Sequence, residues 1–156
     1  MLDRVDFPLT TSQISEFILD KGYTTYFRLQ SALAELTDSG LLKIELTHNR
    51  TLYNLTEEGA ATINYFRNKI SPEIRQEIDN FMNEKKYDLK EEVSVKSDYY
   101  LNTNHEYEVK CQILENGSHL IDMTLTVPTQ TEAEAIVNNW NRKNQEIYAL
   151  LLSQLL

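Results

Sequence analysis

The residues of this chain best suited to chemistry fall into two sets. The first is His48, His105, His119 and Cys111, the residue types that ligate metals or serve as nucleophile and base. The three histidines belong to three different turns, and no HxxxH pair places two of them on one helical face. Cys111 falls on the apolar phase of Tyr107, Val109, Cys111 and Ile113, so it reads as a small buried hydrophobe rather than a nucleophile. The chain has 4 glycines, and none of GxGxxG, GxxxxGK[ST] or GxSxG occurs. Neither catalysis nor phosphate cradling is indicated, no metal or cofactor is implied, and the chain reads as a non-enzyme.

The second set is polar. In a helical run from about Thr24 to Asp38, the side opposite Leu29, Leu33 and Leu36 holds Thr24, Thr25, Arg28, Gln30, Ser31 and Glu35. Thr, Gln and Ser can hydrogen-bond base edges, and Arg can pair with guanine or hold phosphate. His48, Asn49 and Arg50 form a polar loop between two strand-like runs. Composition alone favours reading these residues as a solvated helix face and a polar hairpin turn. Charge counts against nucleic acid, since the net charge is -9. Even residues 1–70 carry 7 Lys and Arg against 9 Asp and Glu. Any phosphate contact must therefore come from a few placed cations, with Glu35 and Asp38 repelling it.

The elements that must position these residues can be read from periodicity. Ile14, Phe17 and Ile18 mark a helix capped by Thr11 or Ser12 and closed by Lys21-Gly22. Tyr26, Leu29, Leu33 and Leu36 mark the buried face of the second helix, which Gly40 ends. The period then changes to two: Leu42, Ile44 and Leu46 form a strand, and Leu52–Leu55 form its partner. Thr56-Glu57-Glu58 caps a helix whose buried side is Ala60, Ile63, Tyr65 and Phe66. Ser71-Pro72-Glu73 starts another, expected to run to about Lys86. From Tyr87 the odd positions to Leu101 are mostly apolar, which predicts a strand. Tyr107–Ile113 and Ile121–Val127 repeat that alternation around the hairpin signal Asn116-Gly117. A last helix from Thr131 to about Gln154 carries the stripe Ala133, Ile136, Val137, Trp140, Ile147, Leu151 and Leu155.

The bulk numbers agree with an ordinary folded chain: 156 residues, 41% hydrophobic and 25% charged. No stretch approaches the roughly 20 apolar residues of a membrane helix, and the opening MLDRVDFPLT lacks the cationic and apolar regions of a signal peptide. One cysteine fits a reducing cytoplasm. Leucines at 150–152, 155 and 156 are apolar on more than one face, which points either to a dimer interface or to a helix end buried in its own domain.

Two strings carry a resemblance. Leu33-Ala34-Glu35-Leu36-Thr37-Asp38-Ser39-Gly40-Leu41-Leu42 and Tyr53-Asn54-Leu55-Thr56-Glu57-Glu58-Gly59 resemble the end of the recognition helix and the end of the wing in MarR and PadR regulators. The segment PLTTSQISEFILDKGYTTYFRLQSALAEL further resembles an uncharacterised family of small bacterial proteins, a domain of unknown function with a winged helix. The resemblance extends over nearly the whole chain. A winged helix has a full first helix where only Met1 to Val5 stand, so the chain is expected to begin inside it.

The resemblance implies an α+β architecture: an N-terminal winged helix-turn-helix (1–70), a connecting helix (71–86), and a three-stranded antiparallel meander covered by a long C-terminal helix (87–156). It implies a regulatory role, expected to be sequence-specific binding of double-stranded DNA by a homodimer; the leucine-rich tail places dimerisation in the C-terminal half, and hydropathy speaks against membrane association. Thr25, Arg28, Gln30 and Ser31 would contact the major groove, and Asn49 and Arg50 would supply the wing contact. A winged-helix protein-interaction adaptor is the alternative, which the acidic charge favours. Aromatics between sheet and helix leave room for a small-molecule effector, without calling for one.

Overall fold

Residues 1–47, 50–115 and 118–156 are described in the computed structural model. The fold class is α+β, as expected, and the chain divides into two compact units: Met1–Leu46 with Arg50–Val93, and Ser94–Leu156. No helix among the described residues is long and apolar enough to cross a membrane.

In the first unit, a 3-10 turn at Leu2–Arg4 leads to the short strand β1 (Leu9–Thr10). Helix α1 (Thr11–Asp20) starts at Thr10, whose hydroxyl accepts from the Gln13 amide while the Gln13 side chain accepts from the Thr10 amide. The cap is thus one residue earlier than the sequence suggests. Gly22, at φ +69°, turns the chain into α2 (Tyr26–Asp38), and Gly40, at φ +71°, turns it out again. Strands β2 (Leu42–Leu46) and β3 (Thr51–Leu55) pair antiparallel from Leu42 opposite Leu55 to Leu46 opposite Thr51. β1 joins the far edge of β3, giving the order β1-β3-β2. Helix α3 (Glu57–Phe66) follows, and α4 (Pro72–Ser94) completes the set.

The hydroxyl of Thr56 joins three of these elements. It accepts from the Gly59 amide at 3.0 Å, capping α3, and lies 2.8 Å from the Gly40 carbonyl and 3.0 Å from that of Leu41, to one of which it donates. The Thr56 amide also donates to Leu41 O at 3.2 Å. Gly59 permits this closeness, because a Cβ there would lie 2.2 Å from Leu41 O and 2.8 Å from Leu55 Cδ1.

The core of this unit is Leu9, Ile14, Leu29, Leu33, Leu42, Tyr53, Met82 and Leu89. Two of these belong to α4, which corrects two expectations. The helix is part of the first core rather than a connector, and it continues to Ser94 where a strand was expected from Tyr87. Alternation at 87–93 also satisfies helical spacing: Leu89 lies seven residues after Met82 and Val93 four after Leu89, and all three are buried. With no glycine or proline to interrupt, the longer helix prevails. Gln13 reinforces the join. It is 2% exposed, and its Nε2 donates to Leu89 O at 3.2 Å and to the Glu92 carboxylate at 2.8 Å.

The second unit is the expected meander and helix. Strands β4 (Val95–Leu101), β5 (Tyr107–Glu115) and β6 (Ser118–Val127) pair antiparallel in the order β4-β5-β6, with a register shift at Ile113/Leu114. The expected Asn116-Gly117 turn lies outside the described residues. Helix α5 (Gln130–Leu155) begins with a capping box between Thr129 and Glu132. It buries Ala133, Val137 and Trp140 against Val109, Cys111 and Ile113. The Trp140 indole donates to Gln112 O at 3.4 Å. Burial pushes the Cys111 thiol up to about 11.

Two predictions follow from this packing. Thr56→Ala should cost about 1–2 kcal/mol in urea unfolding and Gly59→Ala about 1–3 kcal/mol, while Thr56→Ser stays close to the parent. An unchanged midpoint for Gly59→Ala would contradict the close approach to Leu41. Cys111 should resist thiol-reactive maleimide at neutral pH in the folded protein and react fully in denaturant; rapid native labelling would contradict its burial.

Candidate nucleic-acid interface

Helix α2 carries most of the residues that the sequence marks for contact, and packing decides which of them face outward. Leu29 and Leu33 hold the helix to the core. At about 100° per residue, the opposite side runs through Phe27, Ser31 and Asp38, flanked by Arg28 and Glu35. All five are exposed. Tyr26 and Leu36, expected on the buried face, are 52% and 39% exposed because they lie at the ends of the contact. In α3, Tyr65 is 81% exposed against the same kind of expectation, since a helix of 10 residues spends its inward positions on Gly59 and its neighbours.

The four α2 candidates separate on this basis. Thr25 is exposed at the N-cap position, and its hydroxyl makes no capping bond, so it remains available to a ligand. Arg28 is exposed and bonded to no described residue, and Ser31 is exposed one turn further on. Gln30 departs from the expectation. It is half-buried, and its Nε2 is buried without a hydrogen-bond partner among the described residues. Its place about 60° from Leu33 around the helix accounts for this.

The hairpin candidates fare differently. Asn49, like His48, lies outside the described residues. Arg50 is half-buried, and its Nη1 donates to the main-chain carbonyl of Glu92 at 2.7 Å. An arginine expected at a wing tip instead ties the loop end of the hairpin to the end of α4. Nothing near Arg50 in sequence announces that acceptor, which lies 42 residues away.

Other cations of the first unit are committed as well. Arg4 pairs with Asp79 at 2.8 Å, Arg67 with Asp3 at 2.5 Å, Lys85 with Glu16 at 2.7 Å and Lys21 with Glu77 at 3.5 Å. Lys69 lies over the Phe66 ring. Arg28, Lys43 and Lys86 are left exposed and bonded to no described residue. The approach to α2 is fixed partly by Tyr23, whose hydroxyl donates to the Glu77 carboxylate. That bond favours the neutral phenol and the charged acid, holding Tyr23 up at about 12 and Glu77 below the usual carboxylate range.

Phe27 is the feature that sequence reading missed. It is 82% exposed, with the Tyr26 ring edge-on at 6.0 Å. Helical phase was the signal that could have found it, because Phe27 and Ser31 are one turn apart on the outward side.

An apolar cavity of about 350 Å³ lies behind α2, lined by Ile14, Ile18, Leu29, Leu36, Ile63 and Phe66 among others. In the second unit, the C-terminal end of α5 leaves Leu150, Leu155 and Leu156 60% exposed or more. Among the described residues, no group of three or more His, Cys, Asp and Glu is placed to hold a metal ion.

Comparison with curated proteins and with solved structures gives no match. Residues 1–155 match the family described as Domain of unknown function (DUF4364), and the chain belongs to that family.

Proposed function

We propose that this protein is a sequence-specific DNA-binding transcriptional regulator that acts in the cytoplasm as a homodimer. Its first unit is read as a winged helix, with α2 entering the major groove and the β2–β3 hairpin as the wing. The observation that carries the reading is the outward face of the first turns of α2. It presents Thr25, Arg28 and Ser31 to solvent, and Arg28 is the first charge on the helix, with no acid before Glu35. A major-groove helix needs this combination: short hydroxyls for base edges and a cation with no internal partner to give up.

Ion pairs remove equal charge of each sign, so the excess of acid stands and DNA affinity rests on the few cations they leave over. Lys43 on β2 is the second cation placed for phosphate. Arg50, held by the Glu92 carbonyl, is assigned a bracing role and leaves the contact set. Exposed leucines at the end of α5 suit a second copy of the chain. A dimer would cover them and double the DNA contacts. The adaptor reading draws on a different observation, the exposed Tyr26 and Phe27 rings in a chain of net charge -9.

Fluorescence anisotropy with a random-sequence duplex pool, from low to physiological salt, separates the two. DNA binding predicts affinity that falls with salt. In Arg28→Ala/Lys43→Ala the slope of log affinity against log salt should shrink by roughly one for each cation removed per bound protomer. A folded protein with no binding at the lowest salt would favour the adaptor. Dimerisation predicts that light scattering gives twice the chain mass for the parent protein and the single-chain mass for Leu151→Glu/Leu155→Glu. A parent that is monomeric at micromolar concentration would exclude dimerisation through α5.

A further inference from the structure

We infer that Phe27 is a base reader, selecting sites by the 5-methyl group of thymine in the major groove. The inference rests on the DNA-binding reading and names the base chemistry that reading leaves open.

A phenylalanine side chain 82% in water, beside a tyrosine 52% in water, is an unfavourable way to end a helix face, and nothing described covers it. The Tyr26 ring lies beside it edge-on, with ring centroids 6.0 Å apart. Its surroundings indicate what it meets. Ser31 lies one turn along the same side, Arg28 is adjacent, and Thr25 stands at the cap. This stretch of the helix carries a single charge, which is positive, and the first acid along α2 is Glu35. A protein partner that buried the two rings would also have to bury an unpaired guanidinium, or answer it with an acid. A phosphate-lined groove supplies that answer at once, with an apolar group in its floor.

The major groove offers one apolar contact to a side chain, the thymine methyl, and an exposed aromatic ring is among the groups that fit it. Other exposed rings lack this setting. Tyr65 and Phe66 share their turn with Lys69, which already lies over Phe66. Tyr87 is flanked by Lys86 and Asp88 on α4, outside the α2 face. Phe27 therefore combines exposure, an aromatic neighbour and a cationic, hydroxyl-bearing setting.

Two duplexes that differ only in that methyl give the test: alternating poly(dA-dT) and alternating poly(dA-dU). Minor groove, charge and base pairing are the same in both. The parent protein should bind poly(dA-dT) tighter by about fourfold for each methyl it buries. Phe27→Ala should bind the two equally while keeping the salt-dependent affinity that Arg28 and Lys43 supply, and Phe27→Leu should retain part of the preference. Because Phe27 is exposed, both variants should melt with the parent. Equal binding of the two duplexes by the parent overturns the thymine-methyl role and leaves DNA binding standing. A preference that survives in Phe27→Ala assigns the methyl contact to another residue and overturns it equally. Absence of binding to either duplex, and to the random pool at low salt, removes the DNA-binding reading and this inference with it.

Discussion

The first unit depends on how closely the chain can approach itself at Gly59. There the start of α3 comes so near the Leu41 carbonyl that a single methyl would collide with it at 2.2 Å. The Thr56 hydroxyl uses that proximity. It accepts from the first turn of α3 and donates its one proton to a carbonyl, Gly40 or Leu41, in the link between α2 and β2. The direction in which α2 presents its outer face relative to the hairpin is therefore set by a main-chain contact, which side-chain motion does little to loosen.

A second constraint comes from α4. As a connector it would leave the first unit to close its core with three short helices and a small sheet. As observed, Met82 and Leu89 lie in that core, and Gln13 reaches the Leu89 carbonyl and the Glu92 carboxylate from α1. Arg50 uses the neighbouring Glu92 carbonyl to hold the hairpin. The buried Gln13 amide thus finds its partners within the contact.

Electrostatics acquire a different meaning once the pairs are known. A net charge of -9 describes the chain as a sum, whereas a ligand meets local fields. Arg4, Lys21, Arg67 and Lys85 are answered by carboxylates of their own unit, and the cations left over are few and placed. Arg28 matters for this reason: it is an exposed charge without an internal partner among the described residues, on the side of α2 that packing leaves open.

Much of this was legible in the residues. Apolar spacing at Ile14, Phe17, Leu29 and Leu33, the glycines at 22 and 40, and the Thr56 cap determine the helices and their ends, because period and cap chemistry are local. Alternation at Tyr107–Ile113 and Ile121–Val127 likewise determines the meander. Thr25, Arg28 and Ser31 were legible as an outward polar face for the same reason. Tertiary structure decided what local rules leave degenerate. The stretch 87–93 fits both a strand and a helix, and only the core waiting for Leu89 and Val93 chose between them. Arg50 looked like a wing tip until an acceptor 42 residues away claimed it. Gln30 looked exposed until packing turned it half inward, and Phe27 went unremarked until its exposure was seen. Each of these outcomes depends on which distant groups arrive beside a residue, and a pattern of near neighbours carries no record of that.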